Sequence, residues 1–373
     1  PCLFIDGYTE GIAVDFRTYP ARSVEEPEKD KVMRGSKDGF VETLVFNTAL
    51  IRRRIRDTKL RMEIFTVGRT SKTDVVVSYM EQRVDKKVLL EIEQRIQQID
   101  IDSLTMNGES LAECLYQHKW YNPFPKFKFS ERPDAAAAAI LEGNIVILVD
   151  NSPAAMIVPT SVFDIIEDAD DYYFPPITGT YLRLSRFAID MAAVFFTPTF
   201  LLLMQRPEWI PKGLEFIQIT DAINVPILWQ FLILEFAIDG MRLASLNTPS
   251  MLSTPLSVVA GIVLGDFTVS SGWFNSEIML YMAFVAIANY TQSSFELGYA
   301  LKFMRVLTLV LTGYLGVFGY LLGLLITGLA IVRNKTIANK SYIYPLIPFD
   351  GKQLLRRFFR VSLPRAEEDS RYK

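Results

Sequence analysis

Phe187-Ala188-Ile189-Asp190-Met191-Ala192-Ala193-Val194-Phe195-Phe196-Thr197-Pro198-Thr199-Phe200-Leu201-Leu202-Leu203-Met204 is the stretch on which the reading of this chain turns. As a helix it is about 27 Å long, close to the roughly 30 Å hydrocarbon core of a bilayer. It carries one charge, Asp190, and one helix-distorting residue, Pro198. Four further apolar segments follow, at Pro226–Gly240, Pro255–Val269, Ile278–Asn289 and Phe303–Val332, each able to enter or cross a bilayer. Asp190, Glu235, Asp239 and Asp266 lie within or at the ends of these segments. A carboxylate at membrane depth costs several kcal/mol unless it faces water, a partner or a neighbouring subunit. Such segments belong more often to proteins that move ions or solutes than to simple anchors.

The spans are uneven. Pro255–Val269 is short and holds a Gly261/Gly265 pair suited to close helix contact. Phe303–Val332 would be about 45 Å long as one helix. It is therefore tilted, extends past the bilayer, or breaks at Gly313, Gly316, Gly319, Gly323 or Gly328. The tail beyond Val332 carries Arg333, Lys335, Lys340, Lys352, Arg356, Arg357, Arg360 and Arg365, which places it in the cytoplasm. Lys302 and Arg305, just before the last segment, pull against a simple four-span count and leave the topology open.

Outside the apolar half the chain is mixed and charged. Across 373 residues, hydrophobic content is 50% and mean hydropathy +0.20, high for a soluble protein and diluted for one wholly embedded in membrane. One soluble region plus one membrane domain is the natural partition. The net charge of −3 gives no argument for nucleic-acid binding. Cys2 and Cys114 are too few for a disulfide scaffold and fit a reducing compartment. His118 is the sole histidine, which excludes a His-rich zinc site and a Ser-His-Asp triad in the apolar half. The chain opens at Pro1 inside an apparent strand and reads as a fragment lacking an N-terminal portion.

Residues 1–180 alternate short β-rich runs with amphipathic helices, an α+β or α/β pattern that divides naturally into lobes. Strands are expected at Cys2–Asp6, Gly11–Phe16, Leu60–Val67, Asp74–Met80, Phe127–Phe129, Asn144–Val149 and Ala155–Val158. Arg17–Asp38 reads as a charged linker. Helices are expected at Phe40–Arg56, with Phe40, Leu44, Ala49 and Ile51 at near-helical spacing, and at Lys86–Ile99, Ser110–Lys119, Ala135–Leu141 and Val162–Asp168. The domain scheme is thus a mixed soluble region 1–180, a helical membrane domain 181–332 and a basic tail 333–373.

Several motifs invite a functional reading. Gly68-Arg69-Thr70-Ser71-Lys72-Thr73 lacks the spacing of a phosphate loop and precedes a strand, so it reads as a hairpin turn. Asp164, Glu167, Asp168, Asp170 and Asp171 lack the spacing of a calcium loop and read as a solvated helix end. Arg52, Arg53 and Arg54 close a helix, where their charge complements its dipole; contact with anionic lipid, an acidic partner or a neighbouring subunit stays open. Glu235 and Asp239 project from one helix face. They are either a cation-attracting or gating element around a pore, or structural carboxylates satisfied by Arg242 or by backbone groups. Asn289, Thr291, Gln292, Ser293 and Ser294 close an apolar segment, as a pore mouth or an interfacial turn.

Taken in order, Arg22–Pro27, Arg34–Glu42, Asn47–Ile55, Gly68–Val75, Ser130–Asp134 and Glu142–Pro153 resemble the A-subunit family of spore germinant receptors, the GerA family. The resemblance covers essentially the whole chain, and the wording of Phe40–Asp57 is most similar to the stage V sporulation protein AF branch. The start at Pro1 departs from family members, which carry more N-terminal sequence. The resemblance implies a multi-pass protein of the spore inner membrane, its soluble domain facing the core, without enzymatic activity or cofactor. It implies a ring-shaped homo-oligomer whose membrane segments conduct monovalent cations, working with other germination membrane proteins either to release those ions during germination or to amplify that response. It supplies no short catalytic motif. Asp190, Glu235, Asp239, Asp266, Asn289 and Gln292 are therefore expected at a pore or gate on physical grounds, and Arg52, Arg53 and Arg54 at a subunit contact. The competing expectation is a non-conducting membrane scaffold that docks germination partners. No metal, nucleophile–base or phosphate-binding set supports an enzyme.

Overall fold

The computed structural model describes residues 2–4, 6–7, 11–13, 22–27, 29–116, 120–247, 261 and 267–362. Strands β1 (Cys2–Phe4) and β2 (Gly11–Ala13) pair antiparallel. The next elements are α1 (Leu44–Arg54), β3 (Leu60–Val67), β4 (Thr73–Met80), α2 (Lys86–Gln97), α3 (Asn107–Leu115), β5 (Lys128–Ser130), α4 (Pro133–Glu142), β6 (Ile145–Val149) and β7 (Ala155–Val158). A five-stranded sheet runs in the order β3-β4-β6-β7-β5, with β3–β4 and β4–β6 antiparallel. The chain divides into two units: residues 1–31, 36–115 and 130–156 form one, and residues 32–35, 116–129 and 157–373 the other.

In the first unit, the register from Leu60 opposite Met80 to Val67 opposite Thr73 is set by the Gly68–Lys72 turn, where both end residues take positive φ. Every residue of β6 is buried. Because strand side chains alternate between faces, such a strand must be covered on both sides. Helix α4 packs on β4 and β6, and α2 on β3. Pro133 begins α4 at a position needing no amide donor, and Gly143 ends it at φ 99°.

Several polar residues of this lobe serve its architecture. Asn47 is fully buried; its Oδ1 accepts from the Val41 amide at 2.9 Å and its Nδ2 donates to the Val41 carbonyl at 2.6 Å. Asp150 Oδ1 accepts from the Leu44 amide at 3.1 Å, satisfying one orphan donor of α1. Arg132, 2% exposed, chelates Asp134 and donates to the carbonyls of Asp30 and Ser36. The face of α1 differs from expectation: Leu44, Asn47, Leu50 and Ile51 point inward while Ala49 is exposed.

The second unit is helical: α5 (Val162–Ile166), α6 (Asp170–Tyr173), α7 (Pro176–Gln205), α8 (Ile227–Asn247), α9 (Ser276–Tyr290), α10 (Phe295–Val332) and α11 (Gly351–Phe358). Among the described residues, two helices are long and apolar enough to cross a membrane, α7 and α10. That is fewer than the series of segments read from the sequence. Helix α8 carries Glu235, Asp239 and Arg242, α9 is too short, and Pro255–Val269 lies largely outside the described residues.

Helix α10 is two helices. Gly316 has φ 58° and ψ −133°, outside the helical region, and breaks it into 295–315 and 317–332. The halves fold back on each other: a Cβ on Gly319 would lie 1.9 Å from the Leu311 carbonyl, and one on Gly323 would meet Thr308 at 2.7 Å. Ala330 and Ile331 accordingly return to the cluster that holds Leu297, Ala300, Leu301 and Met304. Of the three alternatives for this segment the structure shows the break, as a hairpin with Gly316 at its tip and Gly319 and Gly323 at the contact between its halves.

Candidate polar seams in the helical unit

Helix α7 is the hub of this unit, packing against α9 and α10. Its inward face presents Arg183, Asp190, Ala193, Val194 and Thr197 in turn. Three polar clusters lie along the bundle, and they differ in how completely their charges are matched.

The first is a closed ion-pair cluster. Glu235 on α8, 4% exposed, accepts from Arg305 Nε at 2.8 Å on the first half of α10. Arg305 Nη2 is 2.7 Å from the same oxygen, and Nη1 donates to the Ala193 carbonyl of α7 at 2.9 Å. Lys302, one turn earlier, bridges Glu235 Oε2 at 3.2 Å and Asp239 Oδ2 at 2.5 Å. Two acids meet two bases, and the guanidinium is wholly buried. Of the two readings of Glu235 and Asp239, the geometry is that of paired carboxylates, but the cations are Lys302 and Arg305 rather than Arg242. Arg242 instead sits against aromatic rings, 4.9 Å from the centroid of Tyr290 and 5.2 Å from that of Tyr299. Lys302 and Arg305, read from the sequence as flanking charges, are interior groups, because a facing helix neutralises them.

The second cluster is open. Asp190, 6% exposed, faces Gln292 across the α7–α9 seam, and Arg186 is the charge that acts on it. The amide stands too loosely for a hydrogen bond of normal geometry: Asp190 Oδ1 and both polar atoms of Gln292 are buried without a partner. Asn289 Oδ1, three residues before Gln292, is also unpartnered, as is Thr197 Oγ1, two turns along α7 from Asp190 on the same face. Gly298 leaves room for the amide, since a Cβ there would lie 2.6 Å from Gln292 Oε1. Each such orphan costs about 1–3 kcal/mol if it stays dry. The structure thus brings Asp190 and Gln292 together and separates them from the matched Glu235–Asp239 pair, while Asn289 stands near the end of α9 with an orphaned oxygen of its own. Asp266 lies outside the described residues.

The third cluster corrects the reading of the acidic run as a solvated helix end. Asp171 is fully buried and accepts from Arg186 at 3.0 Å and Arg183 at 3.3 Å; Arg183 also bridges Glu167. Arg357 on α11 reaches Asp164 at 2.5 Å and Glu167 at 3.0 Å. Asp164 is also part of a capping box with Ser161 that starts α5. Asp170 accepts from the Met33 amide. Arginines on α7 and α11 therefore take the places that solvent was expected to fill.

In the first unit, Arg53 and Arg54 both bind Asp38, at 2.5 and 2.6 Å, and Arg52 donates to the carbonyls of Asp57 and Leu60. Burial pushes the Asp38 carboxyl up, but hydrogen bonds from Ser36 and Arg54 and the Arg54 charge outweigh it and hold the group below the usual carboxylate range. Arg52 and Arg53 keep much of their surface exposed.

Among the described residues there is no group of three or more His, Cys, Asp and Glu side chains arranged to hold a metal ion.

The family model described as Bacillus/Clostridium GerA spore germination protein matches residues 1–372. Stage V sporulation protein AF of Bacillus subtilis (strain 168) is 36% identical over 365 residues, covering 98% of this chain and 74% of the relative. Spore germination protein B1 of the same organism is 28% identical over 362 residues, covering 96% and 74% respectively. Among solved structures, the N-terminal domain of the A subunit of the Bacillus megaterium spore germinant receptor GerK3 aligns with 32% of this chain and 94% of its own length, at 38% identity and a TM-score of 0.26. With a family match spanning nearly every residue and a relative above one-third identity along almost the whole length, the chain belongs to the GerA spore germination protein family.

Proposed function

We propose that this chain is a multi-pass membrane subunit of a bacterial spore germination complex. In this reading it sits in the spore inner membrane with its N-terminal lobe on the core side. It assembles with copies of itself and with other germination membrane proteins, and its helices form a path for monovalent cations. The observation that carries the reading is the open seam: Asp190 and Gln292 are each more than nine-tenths buried with polar atoms unpartnered, whereas Asp171 and Glu235, the other buried carboxylates among the described residues of this unit, are matched by cations. Leaving such atoms dry is expensive, whereas a hydrated path satisfies them.

The test is single-channel recording from the full-length protein in liposomes, comparing wild type with Asp190→Asn and Gln292→Leu. Altered conductance or ion selectivity in Asp190→Asn supports the path. Unchanged currents in both variants remove the seam from it.

A non-conducting scaffold is the second reading, favoured by the internal neutralisation of Glu235 and Asp239 by Lys302 and Arg305. It predicts no currents from correctly inserted protein, and germination defects from Arg52 or Arg53 variants that leave the helical unit intact.

A further inference from the structure

The C-terminal helix α11 ends beside the point on α7 where a charged segment gives way to the apolar run 187–204, whose one charge is Asp190. Phe358 stacks on Phe187, the first residue of that run, with ring centroids 4.9 Å apart, and also meets Phe163. Arg183 donates to the Arg356 carbonyl at 3.1 Å, and the Arg360 amide donates to Thr180 at 3.0 Å. If α7 crosses a bilayer through 187–204, α11 lies at headgroup level.

The two sides of this tail differ. Inward, Arg357 is paired with Asp164 and Glu167, and Arg360 donates to the Tyr172 carbonyl. Outward, the segment exposes Leu346, Ile347, Phe349, Leu355 and Phe359, with Phe349 74% and Leu355 61% accessible. On neighbouring α7, Ile177 and Tyr181 are exposed one turn apart, adding an aromatic and an aliphatic side chain at that level. Charge is one-sided: residues 333–362 contain Arg333, Lys335, Lys340, Lys352, Arg356, Arg357 and Arg360 against Asp350 alone. A short amphipathic helix with exposed aromatic and aliphatic side chains, in a segment of a single positive sign, matches the chemistry of an interfacial helix on anionic lipid.

We infer that residues 344–361 form an interfacial anchor that lies in the headgroup region of an anionic phospholipid bilayer, with Leu355, Phe359 and Phe349 in the acyl boundary and Lys352 and Arg356 toward the headgroups. The inference rests on the membrane reading of α7 and α10. It also ties lipid contact to the arginine–carboxylate cluster at the root of α7, because Arg357 belongs to the same helix.

The test uses the full chain with Cys2→Ser and Cys114→Ser, a nitroxide at position 355, 349 or 321, and nanodiscs of phosphatidylglycerol or phosphatidylcholine. Position 321 lies on the exposed face of the second half of α10 and reports on the membrane reading itself. The expected result is a several-fold preference for oxygen over a water-soluble nickel reagent at all three positions in phosphatidylglycerol. At 355 and 349 the preference should fall in phosphatidylcholine, and in the variant K352Q/R356Q. A label at 355 open to nickel while 321 is immersed overturns the anchor and leaves the membrane reading standing. Nickel access at 321 overturns both. Shielding of 355 from both reagents means that protein, a second copy or a partner, covers the face, and overturns lipid as the occupant. Equal immersion in the two lipids overturns the anionic preference.

Discussion

Replacing Arg305 with methionine keeps an unbranched apolar stem and removes the guanidinium with its charge. Three contacts go with it: Nε and Nη2 to Glu235 at 2.8 and 2.7 Å, and Nη1 to the Ala193 carbonyl at 2.9 Å. Charge-assisted hydrogen bonds contribute about 1.5–3 kcal/mol each, and breaking one side of a buried pair costs about 3–5 kcal/mol through the stranded charge. Lys302 remains 3.2 Å from Glu235, so the stranding is partial and the loss falls near the lower bound, about 3 kcal/mol. The second substitution makes the test specific. Glu235→Gln alone leaves Arg305 unpaired, but Glu235→Gln with Arg305→Met strands neither charge of the pair and should recover at least about 1 kcal/mol relative to Arg305→Met. Unfolding by denaturing detergent in mixed micelles, followed by the ellipticity of the helical unit, measures both quantities. Equal stability of wild type and Arg305→Met, or strict additivity in the double variant, would refute the argument that this pair holds α8 to α10.

Gly319→Ala forces a methyl against the Leu311 carbonyl and should destabilise the hairpin by about 3 kcal/mol, whereas Gly328→Ala, with open space around it, should be nearly silent; the midpoint of thermal aggregation in detergent compares them. Asn47→Ala strands the Val41 amide and carbonyl and should cost about 2–3 kcal/mol, read as faster amide exchange across residues 40–54. The depressed Asp38 group stabilises its lobe above the unfolded carboxylate value of about 3.9, and that contribution is lost as pH falls through the lower folded value. Amide-exchange protection of α1 should therefore fall steeply on acidification below about pH 4, and less so in Arg54→Gln, which starts weaker.

Local chemistry made much of the N-terminal lobe legible. The β3–β4 hairpin follows from two β-rich runs around a turn that admits positive φ at Gly68 and Lys72, and α4 from a proline start and a glycine stop. The α1 face was only partly readable, because Asn47 is buried by bonds to Val41 that no hydrophobic pattern encodes. In the helical unit the limits lie elsewhere. Periodicity marks Glu235 as costly but cannot supply its partner, which is 70 residues away in sequence. The acidic run looked solvent-facing for the same reason: Arg357, its distant partner, is 190 residues from Glu167. Five glycines marked the last apolar segment as breakable. Which one breaks depends on the packing of its two halves, and Gly316 is the residue with non-helical backbone. That Asp190 and Gln292 face each other was foreshadowed only by their being polar residues within or beside apolar runs.

The separation between Glu235 and Arg305 also has a meaning in time. A ribosome adding 5–20 residues per second makes the acid roughly 4–14 s before the base that neutralises it. If α8 enters the bilayer, it carries Glu235 and Asp239 unmatched during that interval and is poorly suited to hydrocarbon on its own. Chains truncated before Lys302 should stall in that state and be cleared by quality-control proteases, while chains extended just past Arg305 should insert and persist. On the membrane reading, the ion pair would then act as a checkpoint on biogenesis, passed only when the first half of the C-terminal hairpin has arrived.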